Sequence, residues 1–472
     1  MTHSTNTSIP GPRGIPLLGP TGSLLRFFRD PIRCMRDLKE RYGDVAAVSA
    51  NDASLVCAFG ADINRQVLSN PDLFQTAADL PIKIPKGSSL DRLTTFLVGM
   101  NGDEHTRLRR TMSPLFQKGN LQSYHDGIVI ATEGVLSKLT PGTSINLSAT
   151  TAEIALCVAF RCLFGIDVSS ESQSLAKTAL DFTEGATSLK LMIAPLDLPG
   201  LPYRKFLRLS ERLETRLLEL ITERRKESTP RGDVLSILIK ASDESGTRLA
   251  DSTLVGLANE LFIAGHETTA CTLAWTIFLL ERHPEIYNRL QEELAGVLKG
   301  EAATLADLER LPVLDGVVKE SMRLLSATPF LFFRKSAAGA QIGGQDLPAG
   351  AKLVISPLMT HRARELYREP ERFLPERWQT LQPGPYEYLP FGAGPRMCLG
   401  AAFATLSLRV MLSMILQRYR FSCPAGAAVS YKVRGVILGT RNGIPMSLSR
   451  PERSLFAAQP IRGNIGELVA LS

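Results

Sequence analysis

Long apolar runs are nearly absent from this chain. The one candidate for a membrane span, Leu261 to Leu280, holds His266, Glu267 and several threonines. Ionisable groups there would be costly in lipid, so the stretch reads as a buried core helix. The opening residues Met1 to Ile9 are polar and lack the apolar centre of a signal peptide, so no membrane anchor and a cytoplasmic location are expected. Cysteine is sparse and unpaired: seven residues, at 34, 57, 157, 162, 271, 398 and 423, with no Cys-x-x-Cys spacing. That pattern argues against a disulfide framework and for a reducing compartment. Basic residues outnumber acidic ones by 54 to 47, a formal charge of +7, yet no basic run exceeds Arg224-Arg225-Lys226. No nucleic-acid partner is expected from so scattered a charge. Linkers, low-complexity tracts and internal repeats are missing too. The 472 residues therefore read as one domain over 1–450, opening with a proline-rich lead-in at 1–30. The last residues, 451–472, read as a loosely held tail of no clear role.

What is present is ordinary in bulk. A hydrophobic fraction of 44% and a charged fraction of 21% are those of a globular protein in water. Helical periodicity dominates and predicts helices at Pro31–Tyr42, Gly102–Leu115, Gly119–Leu139, Ala149–Phe164, Tyr203–Lys226, Asp251–Arg282, Pro284–Leu298, Val313–Leu325 and Gly400–Tyr419. Strand-like stretches are short, at Val45–Val48, Ser54–Phe59, Lys352–Ser356 and Met446–Leu448. The expected fold class is mainly α with small β-sheets. Between Pro357 and Pro395 lies a long proline-studded segment without periodicity, in which Phe373, Trp378 and Tyr388 point to packing.

The ten residues Phe391-Gly-Ala-Gly-Pro-Arg-Met-Cys-Leu-Gly400 carry the most information. Gly392 and Gly394 can take positive φ, so the loop can fold back and aim amide N–H groups at the sulfur of Cys398. Gly400 has no side chain to obstruct a flat cofactor at the start of the following helix, and Arg396 is placed to meet a carboxylate. An anionic, sheltered sulfur tuned by amide hydrogen bonds is what a haem-iron thiolate requires. A dinucleotide loop is excluded, because Met397 stands where the third glycine belongs. The pattern F-G-x-G-x-R-x-C-x-G resembles the cysteine-ligand loop of the cytochrome P450 family.

Other motifs extend the resemblance. Glu320 and Arg323 share a helical face at i,i+3, and Arg377 of Pro375-Glu-Arg-Trp378 can complete a Glu–Arg–Arg cluster. In the family such a cluster is structural. His266-Glu267 lacks the second histidine of a zinc motif, since Ala270 follows where it belongs. Ala264-Gly265-His-Glu-Thr-Thr269 instead matches the family's oxygen-activation motif, with Ala264 and Gly265 against the cofactor. Thr268 can bond back to the Ala264 carbonyl, loosening the helix there. Splitting dioxygen needs protons delivered to its outer oxygen, which suits an acid, Glu267, next to an alcohol, Thr268. His105 and Arg109 lie at i,i+4, and in the family this H-x-x-x-R grips the haem propionates, as Arg334 would. His361 is a further candidate for a family position. Arg107, Arg110 and Lys118 would then face an acidic electron donor.

The resemblance implies a triangular, helix-rich fold around haem b (iron protoporphyrin IX), bound through Cys398 with Phe391, Gly392, Arg396 and Gly400 beside it. It implies a monomeric, soluble, bacterial-type monooxygenase that takes O2 and an apolar substrate, with electrons from a separate ferredoxin or flavodoxin system. The pocket would be lined by Phe96, Val98, Phe262, Ile263, Ala264, Phe330, Leu331 and Ile437, with a mobile lid at Leu189 to Pro202. A terpenoid, steroid, fatty acyl or polyketide-like substrate would suit such a lining. A peroxide-driven enzyme and a haem-based gas sensor are the rival readings, and neither needs the Glu267–Thr268 pair.

Overall fold

Apolar residues at helical spacing become helix over most of the chain in the computed structural model, which describes residues 9–15, 18–78, 82–167, 170–186, 188, 191, 195–227, 231–242, 246, 248–451 and 458–471. The helices that position the site are α1 (Gly19–Arg29), α2 (Gly102–Met112), α3 (Lys118–Leu136), α4 (Leu147–Phe164), α5 (Ser170–Ala186), α6 (Pro202–Lys226), α7 (Asp251–Arg282), α8 (Pro284–Leu298), α9 (Pro312–Leu324) and α10 (Ala401–Arg418). Proline in the first turn opens α6, α8 and α9, where its missing N–H would have no helical acceptor in any case. Gly165, at φ 61°, closes α4 by folding back its N–H onto the Arg161 and Phe160 carbonyls. The 32-residue α7 is buried on nearly all sides from Leu254 to Arg282, as a helix apolar all round must be. Helix α4 lies against it, and α3, α6, α9 and α10 surround the pair. Among the described residues α4, rather than 261–280, is the helix long and apolar enough to cross a membrane, and 56% of it is buried inside the protein.

Strands β1 (Val45–Ser49), β2 (Asp52–Ala58), β3 (Phe74–Ala77), β4 (Phe333–Ser336) and β5 (Lys352–Ile355) form one sheet in the order β1-β2-β5-β4-β3. The β2–β5 pair is parallel, with Cys57 opposite Val354, and β3–β4 is antiparallel, with Thr76 opposite Arg334. The proline-rich lead-in runs beside β1, where the Ala47 and Ala50 N–H groups donate to the carbonyls of Pro10 and Pro12 at 2.8 and 2.7 Å. A Cβ on Gly11 would stand 2.4 Å from the Ala47 oxygen, so only glycine passes there. A hairpin of β6 (Tyr431–Arg434) and β7 (Ile437–Thr440) is held to α7 by the Trp275 indole N–H on the Leu438 carbonyl, 2.9 Å.

The tail departs from its sequence reading. Residues 458–471 are docked: the Val429 N–H donates to the Arg462 carbonyl, the Ala470 N–H donates to Glu371, and Ile465, Leu468 and Val469 are buried. Pro460, Gly463 and Gly466 break up this stretch so that it carried no helix or strand signal, yet its apolar residues are enough to anchor it.

The irregular segment after residue 357 is organised by one carboxylate. Glu320, wholly buried on α9, accepts from Arg323 Nε and Nη2 at 2.9 and 2.8 Å, Arg377 Nε at 3.0 Å, Trp378 Nε1 at 3.0 Å and the Leu374 N–H at 3.1 Å. Arg323 reaches on to the carbonyls of His361 (2.7 Å) and Pro370 (2.8 Å), and Arg377 to that of Arg368 (2.8 Å). Removing one partner of such a buried set leaves a stranded charge, at a cost of about 3–5 kcal/mol. Glu320→Ala is therefore expected to lower stability by about that amount and to expose 368–380 to protease before the rest of the chain. Wild-type cleavage kinetics in that segment would show the cluster to be dispensable.

Candidate functional site

The loop 391–400 folds back as its glycines allow. Gly392 and Gly394 stand at φ 68° and 69°, and a Cβ on Gly394 would lie 2.2 Å from the Leu68 carbonyl oxygen. The Cys398 N–H donates to the Phe391 carbonyl at 2.9 Å and closes the loop. The Gly400 N–H points at the Cys398 sulfur, and together with Arg109 it favours the thiolate against the enclosure that pushes the thiol up. Cys398 is nonetheless exposed, as is Met397 beside it, so the sulfur sits enclosed but reachable. The loop hangs from His361, whose Nε2 accepts the Leu389 N–H at 2.7 Å while Nδ1–H donates to the Arg323 carbonyl at 3.2 Å.

Four basic groups gather around the loop. Arg109 Nη2 donates to the Met397 carbonyl at 2.7 Å, Arg396 Nη2 to Asn101 Oδ1 at 2.9 Å, and Arg334 Nη1 to Thr76 Oγ1 at 2.8 Å. His105 is pushed down to about 4 by burial and by the charges of Arg396, Arg109 and Arg334. Burial, with Arg396 adding to it, lowers Arg334 to about 10. Among the described residues no acidic side chain forms an ion pair with any of the four, and Arg396 keeps Nε and Nη1 buried without a partner. Such a cluster is built for carboxylates brought by a ligand.

Helix α7 supplies the facing residues. Ala264 is exposed although it lies midway along a buried helix, so α7 stands clear of its neighbours there. Thr268 Oγ1 donates back to the Ala264 carbonyl at 2.8 Å. Glu267, one residue and 100° around the helix, lies within electrostatic reach of Arg434 and Glu184, and burial raises its carboxyl. His266 turns the other way, stacked on Phe262 and bonded to the Ala152 carbonyl at 3.2 Å. A Cβ on Gly265 would stand 2.9 Å from Leu163 Cδ1 of α4, so this glycine also lets the neighbouring helix approach.

Six of the eight pocket candidates are at least partly exposed: Phe96, Val98, Ile263, Ala264, Leu331 and Ile437. Leu331 lies over the cysteine loop, its methyls 3.9 Å from where a Gly392 Cβ would stand. Two belong elsewhere. Phe262 is buried edge-on against Phe160 of α4, and Phe330 is buried among Phe27 and Phe333, because helical and loop twist turn both rings into the core. Of the expected lid, 189, 190 and 192–194 lie outside the described residues, while Leu196 and Leu198 are exposed. Two site residues escaped the sequence reading. Asn101 bridges Arg396 and β3, and nothing in its neighbours marks it. Glu260 accepts the Leu97 and Val98 N–H groups, and its ionisable side chain in the apolar run Leu257–Ala264 was the available signal.

The residues fit a haem. A reachable sulfur with an amide N–H aimed at it, a stretch of α7 standing clear, and uncompensated cations beside both are the donor set for iron and two carboxylates. Comparison with known proteins agrees with this. The family profile described as Cytochrome P450 matches residues 9–443. The chain is 31% identical over 426 residues to a cyclooctat-9-en-7-ol 5-monooxygenase of Streptomyces melanosporofaciens, covering 88% of this chain and 89% of that one. It is 29% identical over 449 residues to a pentalenene oxygenase of Streptomyces avermitilis, covering 93% and 96%. A solved structure described as retinoic acid bound cyanobacterial CYP120A1 shares the fold at a TM-score of 0.80 and 24% identity, covering 94% of this chain and 100% of that one.

His361 makes the loop's attachment sensitive to acid. Burial first, then Arg323 and Arg362, push it down to about 3, so the folded protein keeps it neutral where the unfolded chain protonates near 6.5. The unfolded state then binds more protons between those values. Stability is expected to fall as pH drops from about 6.5 towards 3, by up to about 1.4 kcal/mol per pH unit from this group. His361→Gln, which can keep both hydrogen bonds, should flatten that slope in melting temperature against pH. An unchanged slope would assign the acid sensitivity to other groups.

Proposed function

The chain belongs to the cytochrome P450 family and is a monooxygenase of that family, and we propose that it inserts one oxygen atom from O2 into an apolar cyclic terpenoid, with Cys398 as the ligand of a non-covalently held haem b. The observation that carries this reading is the enclosed but reachable Cys398 sulfur with the Gly400 N–H directed at it. Thioether attachment of the c type has no support, since the sequence contains no Cys-x-x-Cys-His. When bound, the haem supplies dioxygen activation and the oxidising power.

The chain's own residues do the rest. Arg109, Arg334, Arg396 and neutral His105 would hold the carboxylates of a bound haem. Gly400 N–H and Arg109 stabilise negative charge on sulfur, which sets how strongly it donates. Thr268, already turned back onto the Ala264 carbonyl, presents a hydroxyl where a proton is needed. Glu267, whose carboxyl burial raises while Arg434 opposes, is the acid beside that hydroxyl from which a proton can be passed inward. Ile263, Leu331, Phe96, Val98 and Ile437 form an apolar wall with no charge to grip a polar ligand. The names of the two Streptomyces relatives, a cyclic terpenoid alcohol monooxygenase and a pentalenene oxygenase, favour a terpenoid over the other apolar classes. Electrons would come from a separate ferredoxin or flavodoxin, for which the exposed Arg107 and Arg110 of α2 offer a basic face.

The absorption spectrum of the purified protein, reduced and exposed to carbon monoxide, is the direct test. A strongly red-shifted Soret band is expected, and Cys398→Ser should abolish it. A red-shifted band that survives Cys398→Ser would move the ligand to another residue. Thr268→Ala should cut the product formed per electron pair by about ten-fold or more, with the balance appearing as hydrogen peroxide. Full coupling in that variant would remove Thr268 from proton delivery. Turnover with NADH and surrogate redox partners, against peroxide alone, separates the monooxygenase from a peroxide-driven enzyme and from a sensor.

A further inference from the structure

Glu260 has no part in the chemistry above, yet it is bound at both oxygens. It lies on α7 one turn before Ala264, between Asn259 and Leu261. One carboxylate oxygen accepts the Leu97 N–H at 2.7 Å and the other the Val98 N–H at 3.0 Å. These N–H groups open the short 3-10 turn Leu97–Gly99, whose own preceding residue, Phe96, provides no side-chain cap. Such leading N–H groups have no partner within their turn. A side chain from a distant helix supplies it here. Burial pushes the carboxyl up to about 7 while the two N–H groups oppose it.

Glu260 is the last of three contacts by which α7 grips the chain from Arg92 to Val98. A Cβ on Gly256 would stand 2.5 Å from the Thr95 carbonyl oxygen and 2.8 Å from that of Arg92, so the helix and this segment touch backbone to backbone. Asn259 Nδ2 donates to the Leu93 carbonyl at 2.9 Å. Beyond Val98, Asn101 exchanges hydrogen bonds with Thr76 of β3, 2.9 Å from the Thr76 N–H and 3.1 Å to its carbonyl. Arg92 pairs with Glu214 of α6 at the other end, Nη2 to Oε2 2.8 Å. The ends of the segment are thus fixed by other elements. Its centre, which carries the partly exposed Phe96 and Val98, is held by Glu260.

We propose that Glu260 is a positioning residue that sets the shape of the substrate pocket by holding the wall at Phe96–Val98 against the central helix. Its two oxygens are both engaged with backbone N–H groups, which leaves neither free to grip a ligand. A carboxylate is the group that fits. A glutamine would offer one oxygen to the two N–H groups and press its own NH2 against the second, and an aspartate falls one methylene short. The claim on pocket shape rests on the reading of the site as a P450 pocket. The claim that Glu260 holds the wall does not.

Glu260→Gln tests both parts on the haem-loaded protein. Peptide-level hydrogen exchange should show the amides of 95–99 exchanging about ten-fold faster or more, with α7 and the loop 391–400 unchanged. In the same protein the affinity for clotrimazole, read from its Soret shift, should fall at least ten-fold relative to that for imidazole, which is too small to meet the wall. The reduced carbon monoxide band should stay at its wild-type position. Failure of the thiolate assignment would appear in that band in the unmutated protein, and so is distinguishable from failure here. Unchanged exchange at 95–99 overturns the proposal, as does faster exchange spread evenly over α7, or equal weakening of both azoles. If Glu260→Gln does not accumulate with haem, Glu260→Asp serves the same three readouts, with a smaller effect at the same residues expected and the same outcomes against it.

Discussion

The carboxylate of Glu320 is the interaction on which the site's placement depends. It sits on a regular helix, α9, and gathers donors from a stretch that has almost no regular structure of its own. Forty residues of loop have no ladder to satisfy their backbone, so their carbonyls must find donors elsewhere. Arg323 and Arg377 provide them, each using guanidinium N–H groups left over from Glu320 to bind loop carbonyls. A hydrocarbon pair of equal volume could fill the space but could not direct those carbonyls, so the buried ions are retained for geometry more than for stability. From this cluster the order passes through His361, bonded to both Arg323 and Leu389, to the shoulder of the cysteine loop. The sulfur is aimed by a chain of hydrogen bonds that begins some eighty residues before it.

A second constraint is that one helix must do several unlike things within two turns. Successive residues of α7 step by 100°, so Glu260, Ala264 and Thr268, spaced by four, fall on one face. Glu267 falls on its flank and His266 beyond that, where it packs against α4. The face that meets the cysteine loop therefore has a wall clamp at one end, a bare methyl in the middle and an alcohol at the other. Thr268, Thr272 and Thr276 each bond back to the carbonyl four residues earlier at 2.8 Å, so the helix carries its hydroxyls folded against its own backbone until a ligand competes for them.

Most of the helical fold was legible because apolar spacing at period 3.6 over a dozen residues has few other readings, and α7 is the clearest case. The loop 391–400 was legible for a different reason: its glycines answer to backbone geometry, and only a loop that doubles back requires them. Strand β4 and the hairpin at 431–440 were not seen. Phe333-Arg-Lys-Ser336 has no alternation, since Arg334 points inward to the site where a strand would ordinarily bury an apolar residue. Functional demand erased the pattern that would have revealed the strand. Phe262 and Phe330 failed in the opposite sense: aromatic residues next to the right motif looked like pocket, but one step around a helix or along a loop separates pocket from core. The docking of 458–471 was hidden because it depends on partners more than thirty residues away.

The cationic cluster shows how the fold and its ligand are linked. Arg109, Arg334 and Arg396 crowd like charges at partial burial, and lost hydration first, with that crowding second, keeps His105 neutral and lowers Arg334. Left alone, the three would weaken the junction of α2, β4 and the cysteine loop that they line. Two carboxylates placed among them turn each repulsion into an attraction in a medium less polar than water, where both are amplified. A group that brings those carboxylates binds the folded chain and not the unfolded one, so its affinity adds to stability by mass action. The arginines that would receive a dianionic ligand are thus the same ones whose charges no acidic side chain among the described residues offsets. Arg396, with two buried nitrogens and no protein acceptor for either, is where that imbalance is concentrated.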